Sequence, residues 1–257
     1  MSETVLFART LQGVVTLTLN RPDQFNALSQ EMLGGLQAAL NLIAADDTVR
    51  VVVLAAAGKA FCAGHNLKEM VASPELAFYQ QLFTQCSRMM MAIQNLPVPV
   101  IARVQGIATA AGCQLVAQCD LAVASSEARF AVSGINLGLF CATPSVPLLR
   151  NMPAKAAMEM LLTGDFITAD QAMARGLVNR VAAPDALDAA VNALTASIVA
   201  KPREAVAMGK ALFYRQRGLG TAAAYQLAGQ TMAANMVQAS AQEGVLAFTE
   251  KRAPNWS

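Results

Sequence analysis

The chain of 257 residues is 55% apolar and 14% charged, with a net charge of +2 and its lysines and arginines scattered. That composition suits a large core, with room for buried subunit interfaces, and argues against nucleic acid as the main partner. The longest apolar run, residues 51–57, is far short of the roughly 18 residues that a spanning helix needs, so no membrane insertion is expected.

The opening "MSETVLFART" places Glu3 and Arg9 against the order of a leader peptide, and no export signal is expected. "GVVTLTLN" (13–20) alternates, with Val15, Leu17 and Leu19 on one face, and reads as a half-buried strand. After the loop "RPDQFNALS", Ser29 reads as an N-cap. Met32, Leu33, Leu36, Leu40 and Ile43 follow at helical spacing. The continuous apolar runs in "VRVVVLAAAG" (49–58), "PVPVIARVQG" (97–106) and "DLAVAS" (120–125) suit strands buried on both faces. Helical stretches lie between them, at about 74–95 and after Gly112. Strands alternating with helices imply an α/β fold with crossover connections.

From Pro153 onward the pattern becomes almost wholly helical. Pro153 opens a helix that Gly164 stops, "TADQ" (168–171) is a capping box, and Gly176 closes the helix it starts. Asp185 reads as the cap of a helix carrying Leu187, Val191, Leu194 and Ile198 on one face, and Pro202 opens another. The boundary falls near 198–202, giving a core over 1–198 and a helical region over 199–257. The apolar residues of the second part serve a local core, oligomerisation, or both.

Several chemistries have no matching residues. There is no G-x-G-x-x-G, no G-x-x-x-x-G-K-[ST] and no G-x-S-x-G. The five cysteines, at 62, 86, 113, 119 and 141, form no C-x-x-C pair, and His65 is the only histidine, so no metal site is expected. Irregular cysteines without an export signal suggest free thiols and a cytoplasmic location.

Two segments share one logic. "GKAFCAGHNLKEM" (58–70) and "VQGIATAAGCQLVAQCD" (104–120) each run from a buried strand through small residues into a helix. The first turn of a helix offers unpaired backbone N–H groups and a positive dipole end. Two such ends converging would form an oxyanion hole. Ordinary tight turns carry the same pattern, and the residues alone leave both readings open.

These two segments resemble the signature loops of the crotonase superfamily, the enoyl-CoA hydratase/isomerase family. The resemblance extends to "RPDQFNALS", to "EMLLTGDFITADQAMARGLVNRV" (159–181) and to "AFTEKRAPNW" (247–256). It implies a crotonase (ClpP/crotonase-like) spiral of ββα units with a helical C-terminal trimerisation region, as a homotrimer or a dimer of trimers. It implies an acyl-CoA thioester as substrate, whose thioester oxygen two backbone N–H groups hold while an enolate forms. No separate cofactor is implied, because coenzyme A belongs to the substrate. Carried onto this chain, the two amides fall on His65 and Ala111, with Asn66, Leu67 and Gly112 beside them. Ala63 and the stretch Asn26, Ala27, Leu28 fall near the nucleotide and pantetheine. Lys59 and Lys68 either meet phosphates or are simply solvated. His65 then matters through its main-chain nitrogen rather than its imidazole.

The chain departs from the pattern of typical hydratases, which use two glutamates to activate water. One position, three residues after the second amide, holds Gln114. The other, aligned on Phe130 and Gly138, holds Gly134. A glutamine hydrogen-bonds water but takes no proton at neutral pH. Other branches with glycine at the second position recruit bicarbonate, so Gly134 leaves space for a water or an anion. Thr109, Asn136 and Cys141 are further polar candidates. "GHNLKE", "AAGCQLVA", "CDLAVAS" and "GINLGLFCATP" most resemble the enoyl-CoA hydratase domain-containing protein 3 subgroup. The expected function is therefore an acyl-CoA enzyme of hydratase, isomerase or hydrolase type working through an enolate without the two-glutamate route. The alternatives are a catalytically weak or inactive acyl-CoA-binding or regulatory protein, and an assembly module without a ligand.

Overall fold

The computed structural model describes residues 3–256. Among them, the strands form two sheets. The larger holds β1 (Val5–Arg9), β2 (Val14–Leu19), β3 (Val51–Ala56), β5 (Val100–Val104), β7 (Leu121–Ser125) and β10 (Arg180–Ala182), in that spatial order. The smaller orders β4 (Ala60–Cys62), β6 (Ile107–Thr109), β8 (Arg129–Ala131) and β9 (Ile167–Thr168). After the β1–β2 hairpin and its helix, from β3 to β8 the chain gives one strand to the large sheet, the next to the small one, and then a helix. That is a spiral of ββα units, as expected, followed by a helical C-terminal region.

The large sheet is parallel from β2 to β10, and only the β1–β2 hairpin is antiparallel. A parallel sheet must be covered on both faces. In β3, Val52, Leu54 and Ala56 join the main core, while Val51 and Val53 join a second cluster with Ile101 and Val123. The main core is closed by α1 (Gln30–Ala44) and α3 (Leu76–Asn95), with Leu33, Leu36, Leu82 and Met89 all buried. Ser29 caps α1, its side chain accepting from the Met32 N–H at 3.1 Å. The capping box at Thr168 opens α7 (Ala169–Ala174), also as the sequence indicates.

The second cluster is closed by α8 (Leu187–Val199). Asp185 is not its cap. Residues Pro184–Ala186 form a 3-10 turn, and Ala186 precedes the helix without a side-chain cap bond. Proline pre-sets the φ of that turn and moves the helix start past the aspartate. Burial of Leu187 and Val191, about 1.5–3 kcal/mol each, outweighs a missing cap of about 1 kcal/mol.

Past Pro202, which does open α9 (Arg203–Gln216), the helices touch the core through charge. Lys210 is nearly buried. Its Nζ donates to the carbonyls of Ile93 (3.0 Å) and Val98 (2.9 Å) and to Asp120 Oδ2 (2.7 Å). The Tyr214 hydroxyl donates to Asp120 Oδ1 (2.8 Å), and the Val100 N–H donates to Oδ2 (2.7 Å). The ammonium thus sits at the carbonyl end of α3, where the helix dipole favours a cation, with all three of its donors used. Burial lowers the Lys210 pKa, and the Asp120 charge opposes that shift. Beyond this latch, α10 (Thr221–Met236) buries none of its residues and α11 (Ala239–Thr249) buries Ala247.

Breaking one partner of a buried ion pair leaves the other charge uncompensated, which costs about 3–5 kcal/mol. Asp120→Asn is therefore expected to lower unfolding free energy by about that amount in urea titrations, and a change under about 1 kcal/mol would refute the latch.

Candidate functional site

The three parallel strands of the small sheet end on one rim, the side where open α/β sheets bind ligands. After β4 come Ala63, Gly64 and His65. After β6 come Ala110 and Ala111. After β8 come Ser133 and Gly134, at the start of the 3-10 turn Ser133–Leu137. Apart from the buried Gly64, these residues line one cavity of about 840 Å³, within the range of small-molecule pockets.

The first two turns are pressed together by glycine. Gly112 follows Ala111 in α4 (Ala111–Gln118), and a Cβ there would overlap the Cys62 carbonyl. Gly64 has φ +96°, and a Cβ there would lie 2.9 Å from Ala110 Cβ and 3.3 Å from the Ala111 nitrogen. The His65 segment is held from the other side by a parallel bridge to Leu28. The Leu28 N–H donates to the Gly64 carbonyl at 2.7 Å and the Asn66 N–H donates to the Leu28 carbonyl at 3.4 Å. The bridge engages the neighbours of His65 and leaves its own N–H unused. Neither His65 nor Ala111 donates its main-chain N–H to an acceptor among the described residues.

Ala110 reaches its place at a conformational cost. Its φ of 50° and ψ of −121° belong to a region that suits glycine. Its own N–H is held by the Ala131 carbonyl at 3.0 Å. Such strain amounts to about 1–3 kcal/mol and persists only where the surroundings over-determine it. Here it turns the next peptide, the one that carries the Ala111 N–H.

Of the residues expected at the site, Ala27, Ala63, His65, Asn66, Leu67, Ala111, Gly134 and Cys141 line the cavity, as does Lys68. Seven do not, and the reasons are physical. Asn26 is fully buried, its Nδ2 donating to the carbonyls of Ala57 (2.8 Å) and Ala60 (2.9 Å) while Oδ1 accepts from the Arg21 N–H (2.9 Å). It shapes the loop that presents Ala27. Leu28 belongs to the core. Gly112 faces the Cys62 backbone. Asn136 sits against Gly164. Gln114 lies buried behind the wall, and its Oε1 has no hydrogen-bond partner. Lys59 is exposed and off the cavity. Thr109 is a strand residue whose hydroxyl meets that of Ser133 at 2.8 Å.

Phe83, Met70, Leu137, Leu139, Phe140 and Ser133 line the cavity without having been read from the sequence. Phe83 comes from a helix with no local motif, while Met70 ends the first signature segment and was not singled out there. Ser133 was legible in principle, since it adjoins Gly134. Gly134 itself has no room for a side chain, because a Cβ would lie 2.7 Å from the Leu139 carbonyl and 2.8 Å from Cys141 Sγ.

The titratable groups at the wall are few. Asp23 is the one carboxylate among the described lining residues, and it is exposed. The His65 ring packs edge-on to Phe83, centroids 5.5 Å apart. Both of its nitrogens are shielded without a partner in hydrogen-bond geometry. Burial lowers its pKa from 6.5, with the Leu28 carbonyl pulling more weakly the other way, so the ring is neutral near pH 7. Burial raises the Cys141 pKa, so its thiol is protonated there as well.

A match to the family model described as enoyl-CoA hydratase/isomerase covers residues 9–257. The Xenopus laevis relative named "Enoyl-CoA hydratase domain-containing protein 3, mitochondrial" is 44% identical over 245 residues, spanning 95% of this chain and 83% of that protein. A crystal structure of enoyl-CoA hydratase from Mycobacterium smegmatis superposes with a TM-score of 0.98 at 63% identity, covering 99% of both chains. One of human enoyl-CoA hydratase domain-containing protein 3 gives a TM-score of 0.95 at 42% identity, covering 98% of this chain and 100% of that one. The expectation of a cytoplasmic location does not stand: the Xenopus laevis relative is named mitochondrial, as are those of Rattus norvegicus, Mus musculus, Homo sapiens and Danio rerio.

Two outcomes check this geometry. Ala110→Gly relieves the backbone strain and is expected to raise stability by about 1 kcal/mol, after the roughly 0.5–1 kcal/mol that glycine entropy removes; Gly112→Ala is expected to lower it by more than about 3 kcal/mol or to prevent folding. The second concerns pH. Between its lowered folded pKa and 6.5, His65 binds more protons in the unfolded chain than in the folded one, so its contribution to stability falls as pH drops below about 6.5. His65→Gln should flatten the pH dependence of the urea midpoint between pH 7.5 and 5.5, and an unaltered slope would contradict the burial of the ring.

Proposed function

The chain belongs to the enoyl-CoA hydratase/isomerase family, and from that premise we propose that it binds an acyl-CoA thioester with the thioester oxygen against the main-chain N–H groups of His65 and Ala111. The observation that carries this reading is that both N–H groups are unengaged on the wall of one cavity. Each such donor, fixed in advance where charge develops, is worth about 10²–10³ in rate for a reaction that passes through an enolate. Removing a proton next to a thioester carbonyl forms that enolate. So does adding a nucleophile to a double bond conjugated with it.

The acyl part then lies along Phe83, Met70 and the 137–144 segment, which are apolar. The pantetheine leaves past Ala27 and Ala63, and Lys68 at the exposed rim meets the nucleotide phosphates. No cofactor is required, since coenzyme A arrives with the substrate. Residues 1–198 carry the site and 199–257 serve oligomerisation as a trimer or a dimer of trimers; the exposure of Tyr225 (76%) and Phe248 (84%) supports the latter role.

The usual hydratase route has no base at this wall. Gln114 and Gly134 stand at the two positions that would supply carboxylates; the His65 ring is shielded and its pKa lowered by burial, which makes it a weak base, and the Cys141 thiol stays protonated. General acid–base groups contribute about 10²–10⁴ each. Turnover therefore depends on a water or small anion admitted into the cavity itself, since the missing Gly134 side chain leaves no space of its own, and the second reading, an acyl-CoA-binding protein with little catalysis, rests on the same missing carboxylates.

Calorimetric titration with acyl-CoA and turnover assays on a panel of enoyl-CoA and acyl-CoA thioesters separate the two. Micromolar binding with measurable turnover supports an enzyme; binding alone supports the second reading; no binding of any thioester refutes both. Gly134→Glu is expected to lower the melting temperature rather than create hydration, because the Leu139 carbonyl and the Cys141 sulfur occupy the required space.

A further inference from the structure

We infer that the His65 imidazole, braced on Phe83, is the stop that sets how long an acyl chain the cavity accepts, which makes this side chain a specificity-determining residue. The inference rests on the acyl-CoA reading above and deepens it. That reading uses the main-chain N–H of His65 and gives its ring no role. The apolar lining of the cavity falls into two groups. Leu137, Leu139 and Phe140 are 68%, 47% and 42% exposed and belong to its mouth. The same segment brings the polar groups of that side, Ser133, Cys141 and Thr143. Met70 and Ala110 are partly buried and pack against the main core, and Phe83 is partly buried as well. The inner wall is theirs.

His65 stands between that wall and the proposed thioester contact, because its ring and its N–H belong to one residue. The ring meets that of Phe83 edge-on, with centroids 5.5 Å apart, a separation at which two rings touch. The pair closes the gap between the turn after β4 and α3. Both ring nitrogens are shielded, so what this partly buried residue shows the cavity is carbon and main chain. Burial also lowers the ring pKa, which favours the uncharged form. The wall is held in place. The Tyr79 hydroxyl, on α3, donates to the Met70 carbonyl at 3.0 Å and ties the end of α2 (Leu67–Ala72) to that helix. An acyl chain whose carbonyl is held by the His65 N–H therefore starts beside the ring and meets the pair as it lengthens. Leu82 and Cys86, on the same helix as Phe83, belong to the main core. Space freed by a smaller side chain at position 65 is thus apolar and suits methylene groups rather than water.

Calorimetry with acetyl-, butyryl- and octanoyl-CoA tests this, read as affinity ratios within each protein so that any change at the thioester contact cancels. A methylene taken against an apolar wall is worth about fourfold in affinity. The wild type is expected to gain about tenfold from acetyl- to butyryl-CoA and less than about threefold from butyryl- to octanoyl-CoA. His65→Ala is expected to raise the octanoyl-to-butyryl ratio by about tenfold or more, while His65→Leu, which keeps the bulk without the nitrogens, holds it within about threefold of the wild type. Phe83→Ala removes the brace from the other side and should raise the ratio too, so it carries the test if His65→Ala does not fold. A wild-type affinity that climbs steadily through octanoyl-CoA would overturn the assignment of the ring and leave the thioester site standing. So would ratios unmoved in folded His65→Ala and Phe83→Ala, or a His65→Leu ratio as high as that of His65→Ala. Absence of wild-type binding to all three compounds would overturn both.

Discussion

Two strand-to-helix turns that touch without side chains between them set the geometry of everything at the rim. Gly112 lies against the Cys62 carbonyl and Gly64 against Ala110 and the Ala111 nitrogen. Each glycine is there for want of space. Contact at that range brings two helix-entry backbones side by side, and the bridge through Leu28 consumes the bonds on either side of His65 while sparing its own N–H. The strain at Ala110 belongs to the same arrangement, since a relaxed backbone there would turn the Ala111 peptide elsewhere. Packing, not charge, thereby sets two unengaged main-chain N–H groups at one cavity, whose described lining carries Asp23 and Lys68 at its exposed edge.

That explains what was legible in the sequence. The long elements announced themselves. The uniform apolar run of β3 comes from burial on both faces, and the spacing from Met32 to Ile43 comes from one helix face meeting the core. The short strands β4, β6 and β8 did not, because three residues are too few to show a period. The family resemblance supplied what periodicity could not, the pairing of two distant loops. It carried residues over by position, however, and position does not say which way a side chain faces. Asn26 and Leu28 sit in the motif and point inward, where they shape the loop or fill the core. Gln114, which the resemblance places at the site, is buried behind the wall. Phe83 reaches the cavity from a helix whose sequence looks like an ordinary amphipathic one, and Met70 from the end of the first signature segment. Asp185 misled for a local reason, the proline before it.

The latch at Lys210 shows a second way in which distant parts depend on each other. The buried ammonium ends α3 electrically, binds the carboxylate that opens β7, and belongs to α9. Phe83 is on α3, so the helix that borders the cavity is tied at its far end to the C-terminal region. The wall of the site and the base of the exposed helices thus share one element.

The alternation of strands between two sheets divides labour along the chain. From β3 to β8 each circuit of the spiral spends a strand of five or six residues on the large sheet and one of three on the small sheet, from whose end a loop emerges at the rim. The long strands of the scaffold and the loops that line the cavity are therefore written in different segments of sequence. A lineage built this way can rewrite one loop per circuit, trying new chemistry at the rim while the scaffold beneath goes on folding as before.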